Sequence, residues 1–236
     1  MRLGVNIDHI ATLREARGES TPAPAFAALI AEDSGAESIV AHLREDRRHI
    51  KDDDLYILKG ILRSRLNLEM SIAPEIVNIA CRVKPDQATL VPEKRQELTT
   101  EGGLDVTGNL VKITKIISGL EKSGIDVSLF IDPVKSQIKS AKQAGAKMIE
   151  LHTGSYANAA NKKQENKYLK ELEAAVIFAN SLDLRVFAGH GLNYNNVSKV
   201  AEIRGIEELN IGHSIISRAV FTGLGKAVRE MKELIG

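Results

Sequence analysis

The sequence predicts an α/β fold, a closed (β/α)8 barrel of the TIM type, and three observations carry that prediction. Eight short runs rich in Val, Ile and Leu are spread along the 236 residues. Segments of helical spacing separate them without a low-complexity linker or a break in composition. The rival, an open doubly wound sheet, lacks its usual G-x-G-x-x-G after the first strand, where NIDHIATLREARG stands instead. Alternating strand–helix units need parallel strands and right-handed crossovers. Eight of them fit the roughly 250 residues typical of a barrel, so one domain over residues 1–236 is expected.

The elements follow in order. LGVNID (3–8) opens the barrel, and REARGESTPAPAF (14–26) reads as the loop after it. FAALIAEDSGA is the first amphipathic helix, and SIVAHL (38–43) the second strand. DLYILKGILRSR, LNLEM (66–70), PEIVNIACRV and QATLVP (87–92) continue the alternation. PEKRQELTTEGGLDV (92–106) is long and charged, and reads as a candidate lid with Gly102 and Gly103 as its hinge. LVKITKIISGLEKSG, DVSLFID (126–132), VKSQIKSAKQAGA and MIELHT (148–153) come next. ENKYLKELEAAVIFANSL, RVFAGHG (185–191), ELNIGH (208–213) and a helix starting near Ile215 complete the set. Gly35, Gly124 and Gly145 sit where helix C-caps belong.

Period-2 alternation sharpens the picture. It sets Leu3, Val5 and Ile7 against Gly4, Asn6 and Asp8; Leu66, Leu68 and Met70 against Asn67 and Glu69; Ile149 and Leu151 against Glu150 and His152. In a barrel the apolar face packs on the helices, so the carboxylates point into the lumen, which is costly unless they are paired or used. All six histidines (His9, His42, His49, His152, His190 and His213) fall at or just past predicted strand ends, outside the predicted helices. That is the face where barrels carry their active sites.

Composition narrows the function. A net charge of +1, 4% aromatic residues and no Trp argue against nucleic acid as a partner. No apolar run reaches the roughly 18 residues of a membrane span, and the first residues lack the apolar stretch of a secretory leader. The single cysteine, Cys81, fits a reducing compartment, so a cytoplasmic protein is expected.

AGHG (188–191) and IGHS (211–214) close the last two strands with glycines, at the place where barrels often hold a phosphate on loop amides and a helix N-terminus. Gly189, Gly191 and Gly212 would let such an anion approach the backbone. Between Val40 and Asp54, His42, Arg44 and His49 stand where an anionic ligand would lie, while Glu45, Asp46, Arg48 and Lys51 read as solvated or paired. Asp52, Asp53 and Asp54 read as a helix start. No metal is expected: Asp8 and His9 are adjacent where two-metal hydrolases carry H-x-H, and H-E-x-x-H is missing.

GVNIDHIATLREARG, HLREDRRHI, NLEM, LVPEKRQE-TTEGGLDV, SLFID, IELHTG-YA, AGHGLNY-NV and ELNIGH-II-RAV together resemble the pyridoxine 5′-phosphate synthase family of deoxyxylulose-dependent vitamin B6 biosynthesis. The resemblance runs from Gly4 to the last helix. It implies a barrel with extra helices, a homo-octamer built from dimers, and a cofactor-free condensation of two phosphorylated substrates, 3-amino-2-oxopropyl phosphate and 1-deoxy-D-xylulose 5-phosphate. By the same resemblance, His42 and Glu69 are proton acceptors, His190 a proton donor and Glu150 a stabiliser of charged intermediates. Asn6, Arg17, Gly191, Gly212 and His213 match positions that hold the amino-ketone phosphate. Asp8, His9, Arg44, His49 and Thr99 match those that hold the deoxyxylulose phosphate. One departure stands out: the family's Y-P-D-P reads Thr21-Pro22-Ala23-Pro24 here, and the lost Asp would be a helix-cap or loop residue, which bears on local stability rather than on the chemistry. The competing readings are another sugar-phosphate isomerase or lyase barrel and a metal-dependent hydrolase barrel.

Overall fold

In the computed structural model, which describes residues 1–93 and 102–236, strand and helix alternate along the chain. Strand β1 (Arg2–Asn6) stops short of the pattern read from the sequence because Asp8 opens helix α1 (Asp8–Arg17). The segment expected to be a loop therefore begins as a helix, and His9 lies in its first turn. An acidic residue leads α1, and Arg14 and Arg17 close it, a charge order that suits the helix dipole. Its apolar stripe is too thin to announce a helix by periodicity; only Asp8, Ala11 and Arg14 are buried. Gly18, at φ +65°, ends it.

Helix α2 (Pro24–Asp33) follows, with Pro24 in its first turn. The lost aspartate has a visible consequence: Ala23 occupies the N-cap and offers no side-chain hydrogen bond. Strand β2 (Ser38–Leu43) is buried throughout. Helix α3 (Asp52–Ile61) starts on the three aspartates, and the Asp54 carboxylate accepts from the Lys51 amide at 2.8 Å. Then come β3 (Arg65–Met70), α4 (Pro74–Val83), β4 (Gln87–Leu90), α5 (Leu110–Lys122), β5 (Asp126–Ile131), α6 (Lys135–Gln143) and β6 (Met148–His152). A short α7 (Gly154–Ala157) precedes α8 (Lys162–Asn180), where the Asn161 side chain accepts from the Gln164 amide. Strand β7 (Arg185–Gly189), α9 (Val197–Ala201), β8 (Ile206–Ile211), α10 (His213–Thr222) and α11 (Leu224–Ile235) complete the fold. Gly35, Gly124 and Gly145 all have positive φ just beyond α2, α5 and α6, as expected of helix ends.

The eight parallel strands pair in sequence order, and β8 closes onto β1 through Leu3↔Leu209 and Gly4↔Asn210. Closure leaves no edge and fixes every register. Leu3, Val5, Leu66, Leu68, Ile149 and Leu151 lie in the apolar layer between strands and helices and are fully buried. The alternate residues fill the lumen with polar groups: Thr89 donates to Asn67 at 2.9 Å, Gln87 donates to Thr89 at 3.2 Å, and Arg2 pairs with Glu208 at 3.0 Å. Among the described residues, no helix is long and apolar enough to cross a membrane.

Arg14, placed in a loop by its sequence context, is instead a bracket between α1 and α3. Its guanidinium donates to both Asp54 oxygens at 2.6 and 2.8 Å and to the His49 carbonyl at 2.9 Å. Removing it strands a half-buried carboxylate and frees the chain that carries His49. Arg14→Ala is expected to lower stability by about 2–3 kcal/mol, read from the midpoint of urea unfolding.

Candidate active site

A cavity of about 420 Å³ opens at the C-terminal ends of the strands. It is lined by Asn6, Asp8, His9, His42, Arg44, His49, Glu69, Glu150, His190, Gly191, Gly212 and His213. All twelve are positions expected from the sequence. Two further candidates remain, Arg17 and Thr99. Arg17 is exposed at the far end of α1 and does not line the cavity. Thr99, with most of the proposed lid, lies outside the described residues.

The floor is acidic. Asp8 and Asn6 clasp each other at the end of β1: the Asn6 side-chain nitrogen donates to Asp8 at 2.9 Å, and the Asp8 amide donates back to Asn6 at 2.9 Å. The other Asp8 oxygen accepts from the His42 amide at 2.8 Å, and Asn6 also reaches Glu69 at 3.5 Å. Glu69 stands beside His42 because β2 and β3 pair them in register. Burial pushes the Glu69 carboxyl well above the usual range, reinforced by the charges of Glu150 and Asp8. Burial raises Glu150 to about 7; a hydrogen bond from Asn210 opposes the rise, and the charge of Glu208 adds to it. Like charges enclosed together cannot all ionise, so this floor stores a proton near neutral pH.

The six histidines form three ring pairs. Ring centroids lie 5.1 Å apart for His9 and His213, 6.1 Å for His42 and His49, and 5.0 Å for His152 and His190. Burial, with help from His152, lowers His190 to about 4. Burial also lowers His9 and His49, partly offset in each by Asp8. The His49 ring accepts from the Ile50 amide at 2.9 Å, which leaves its proton on the other nitrogen. His152 does not line the cavity; it bonds Asp132 at 3.1 Å and packs on His190 from behind. His190 has φ +79°, unusual for a residue with a side chain. Its carbonyl accepts from the Thr153 hydroxyl at 2.6 Å, which helps to hold the turn.

Several glycines also make room for side chains of the site. A Cβ on Gly212 would lie 2.9 Å from Asn6, and one on Gly189 would collide with the Glu150 carboxylate. Bare backbone at these two positions leaves room for the side chains of Asn6 and Glu150. Gly191, at φ +83°, would press a Cβ to 2.6 Å from Ala157. Helix α10 begins at His213, two residues before the expected start, so His213 belongs to the helix, whose N-terminus borders the cavity through Gly212, His213 and Ser214. Nor is Gly103 built as a hinge: its amide donates to Asp132 at 3.1 Å, and a Cβ there would collide with the backbone of β5 and Asp132.

Glu93 was not among the candidates. Its carboxylate lies 3.8 Å from the His42 ring and 3.5 Å from Arg44, and accepts from the Glu45 amide at 2.9 Å. Burial opposes its charge, but His42, that amide and Arg44 outweigh burial and hold it below the usual range. Asn210 was also missed. Glu93 lies within LVPEKRQE and Asn210 within ELNIGH, but only the closed barrel brings the two side chains to the site. Elsewhere in the charged run, Arg48 pairs with Asp46 at 2.6 Å and Lys51 with Glu15 at 2.8 Å, as expected of its outer face. Asp8, His42 and Glu69 each offer one ligand atom within 4.8 Å of one another, the arrangement among these groups best able to take a cation. The Asn6 amide already donates to both carboxylates of that trio and supplies the positive end a cation would bring.

Comparison with known proteins adds a decisive observation. Residues 3–236 match the family described as "Pyridoxal phosphate biosynthesis protein PdxJ". The chain belongs to this family. Pyridoxine 5′-phosphate synthase of Trichlorobacter lovleyi is 57% identical over 99% of this chain and 98% of its own length. That of Geotalea daltonii is 58% identical with the same coverage. Among solved structures, KGPDC from Streptococcus mutans superposes with a TM-score of 0.69 at 13% identity, covering 99% of this chain and 96% of that one. Phosphoribosyl anthranilate isomerase from Thermus thermophilus gives 0.60 at 14%, covering 100% and 98%. Identities this low establish a shared barrel and nothing of chemistry.

The raised carboxyls of this PdxJ-family chain carry a stability cost with a definite sign. A glutamate raised from 4.5 to about 7 leaves the fold unpenalised below 4.5 and burdens it increasingly as pH rises through 7. Glu150→Gln is expected to stabilise the protein by on the order of 2–3 kcal/mol in mildly alkaline buffer. The gain should vanish in acid, as followed by thermal unfolding across pH.

Proposed function

We propose that the chain is a pyridoxine 5′-phosphate synthase, joining 3-amino-2-oxopropyl phosphate to 1-deoxy-D-xylulose 5-phosphate with release of phosphate and water. The observation that carries this reading is the meeting of Glu69, His42, Glu150 and His190 in one cavity of about 420 Å³. Its lining includes the bare backbone of Gly191 and Gly212 with His213 at the start of α10, and the basic side chains Arg44 and His49. Two phosphoryl groups need two such sets of partners. Ring formation needs groups that exchange protons near neutral pH between them.

In this reading the first amides of α10, with Gly191 and Asn6, hold the phosphate of the amino-ketone. Arg44, His49, His9 and Asp8 hold the deoxyxylulose phosphate. Amine and ketone condense to an imine with loss of one water, proton shifts and phosphate elimination follow, and the steps that close and aromatise the ring release a second water net. Glu69, beside His42, serves as a base whose raised affinity for protons matches the task. His190 is neutral before substrate binds, with a value of about 4. Two phosphate dianions brought beside it favour its imidazolium, so substrate binding charges the donor. Glu150 lies where positive charge would develop on nitrogen.

Arg17 is too exposed to serve its own chain's cavity, so its role in holding phosphate belongs to assembly, one subunit reaching into the next. The homo-octamer implied by the resemblance supplies such neighbours, and Phe26 and Phe221, 70% and 88% exposed, suit burial between subunits. The reading also places the protein in the cytoplasm as a single barrel domain, working without cofactor or metal. Dialysis against a strong chelator is therefore expected to leave turnover unchanged; loss restored by a divalent ion would favour the hydrolase-like alternative at Asp8, His42 and Glu69.

The direct test is to supply both substrates and assay pyridoxine 5′-phosphate and phosphate in equal amounts. Glu69→Gln is expected to fold, bind inorganic phosphate normally and turn over about 10²–10⁴-fold more slowly. Near-normal turnover in that variant would remove Glu69 from the mechanism.

A further inference from the structure

We infer that Asn210 is a positioning residue for the reaction, its side-chain amide holding the Glu150 carboxylate in place and in its ionised form. The inference deepens the synthase reading and rests on it for its kinetic consequence. Asn210 and Glu150 are 5% and 2% exposed, and the amide nitrogen donates to the carboxylate at 2.6 Å. Register shows how much of the barrel is arranged around this one bond. On β1 the residue paired with Asn210 is Gly4, and on β7 it is Gly189. A Cβ on Gly4 would collide with the Asn210 amide oxygen, and one on Gly189 with the Glu150 carboxylate. Both strands flanking Asn210 thus forgo a side chain at the level of this hydrogen bond.

The chemistry explains why the clearance is needed. A buried carboxylate prefers to take a proton, and a donor fixed at short range shifts that preference toward the anion. The charged and titratable groups facing Glu150 give little other help. Glu69 of β3, Asp8 of α1 and Glu208 of β8 are acids, while His42 and His190 stand at the rim and His152 lies two residues along the same strand. Phe187 of β7 and Phe130 and Ser128 of β5 bring no charge. Asn210 is the neutral donor within hydrogen-bonding reach of this carboxylate among the described residues. Reversing its amide would face oxygen toward oxygen and would require a protonated Glu150, so the protonation state decides between the two orientations.

The test compares wild type, Asn210→Leu and the isosteric Asn210→Asp, each labelled with 13C-glutamate, by infrared spectroscopy across pH. The band absent from Glu150→Gln assigns the Glu150 signal. In both Asn210 variants the protonated-acid band of Glu150 is expected to persist to higher pH than in wild type. Near neutral pH, kcat should fall by roughly tenfold, with KM for both substrates within about twofold. Because raising pH restores the anion, the deficit should shrink steadily toward about pH 9. A merely structural Asn210 gives a deficit independent of pH and an unchanged Glu150 band; either result in the folded Asn210→Asp variant overturns the inference. Should wild type fail to make pyridoxine 5′-phosphate, the functional reading falls while the infrared comparison still decides what Asn210 does.

Discussion

The site depends on a constraint that is geometric before it is chemical: eight parallel strands close on themselves, and closure fixes which residues share a level in the lumen. Register places His42 beside Glu69, His152 beside Gly189, and Gly4 and Gly189 on either side of Asn210. A slip of one residue in β3 or β6 would turn its polar face into the apolar layer, at the cost of burying Glu69 or Glu150 among leucines. The fold can carry acids in its mouth because its backbone has no edge through which to relax.

From that enclosure follow the electrostatics. Glu69 and Glu150 are raised by the same burial that brings them together, and His190 is lowered by burial and by His152. Acids that hold protons and imidazoles that lack them are a poor arrangement for stability and a useful one for moving protons. Each raised group is a base closer to neutral than its free counterpart, and each neutral histidine becomes a stronger proton carrier once phosphate dianions arrive. The barrel accepts the local cost because the surrounding apolar layer is fully buried and large.

Much of this was legible in the sequence. Alternating strand and helix runs indicated the barrel, and period 2 placed Glu69 and Glu150 inward. What failed did so for physical reasons. Helix α1 escaped because its stripe is thin and its anchor is an arginine, Arg14, whose partners Asp54 and the His49 carbonyl lie about 40 residues away in sequence. The ends of β1 and the start of α10 moved because Asp8 and His213 serve both element and site. Gly189 and Gly212 were recognisable as necessary, but the reason, room for Glu150 and Asn6, exists only once other strands are in place. Glu93 and Asn210 sit inside LVPEKRQE and ELNIGH, yet what each does comes from neighbours across the barrel.

The central claim is that the acids in the barrel mouth share protons they would give up in water. Neutron diffraction from deuterated crystals grown at neutral pH reads this without any assay. The account predicts at least one deuteron on the Glu69 and Glu150 carboxyls. Nuclear density showing Glu69 and Glu150 both fully deprotonated would contradict it.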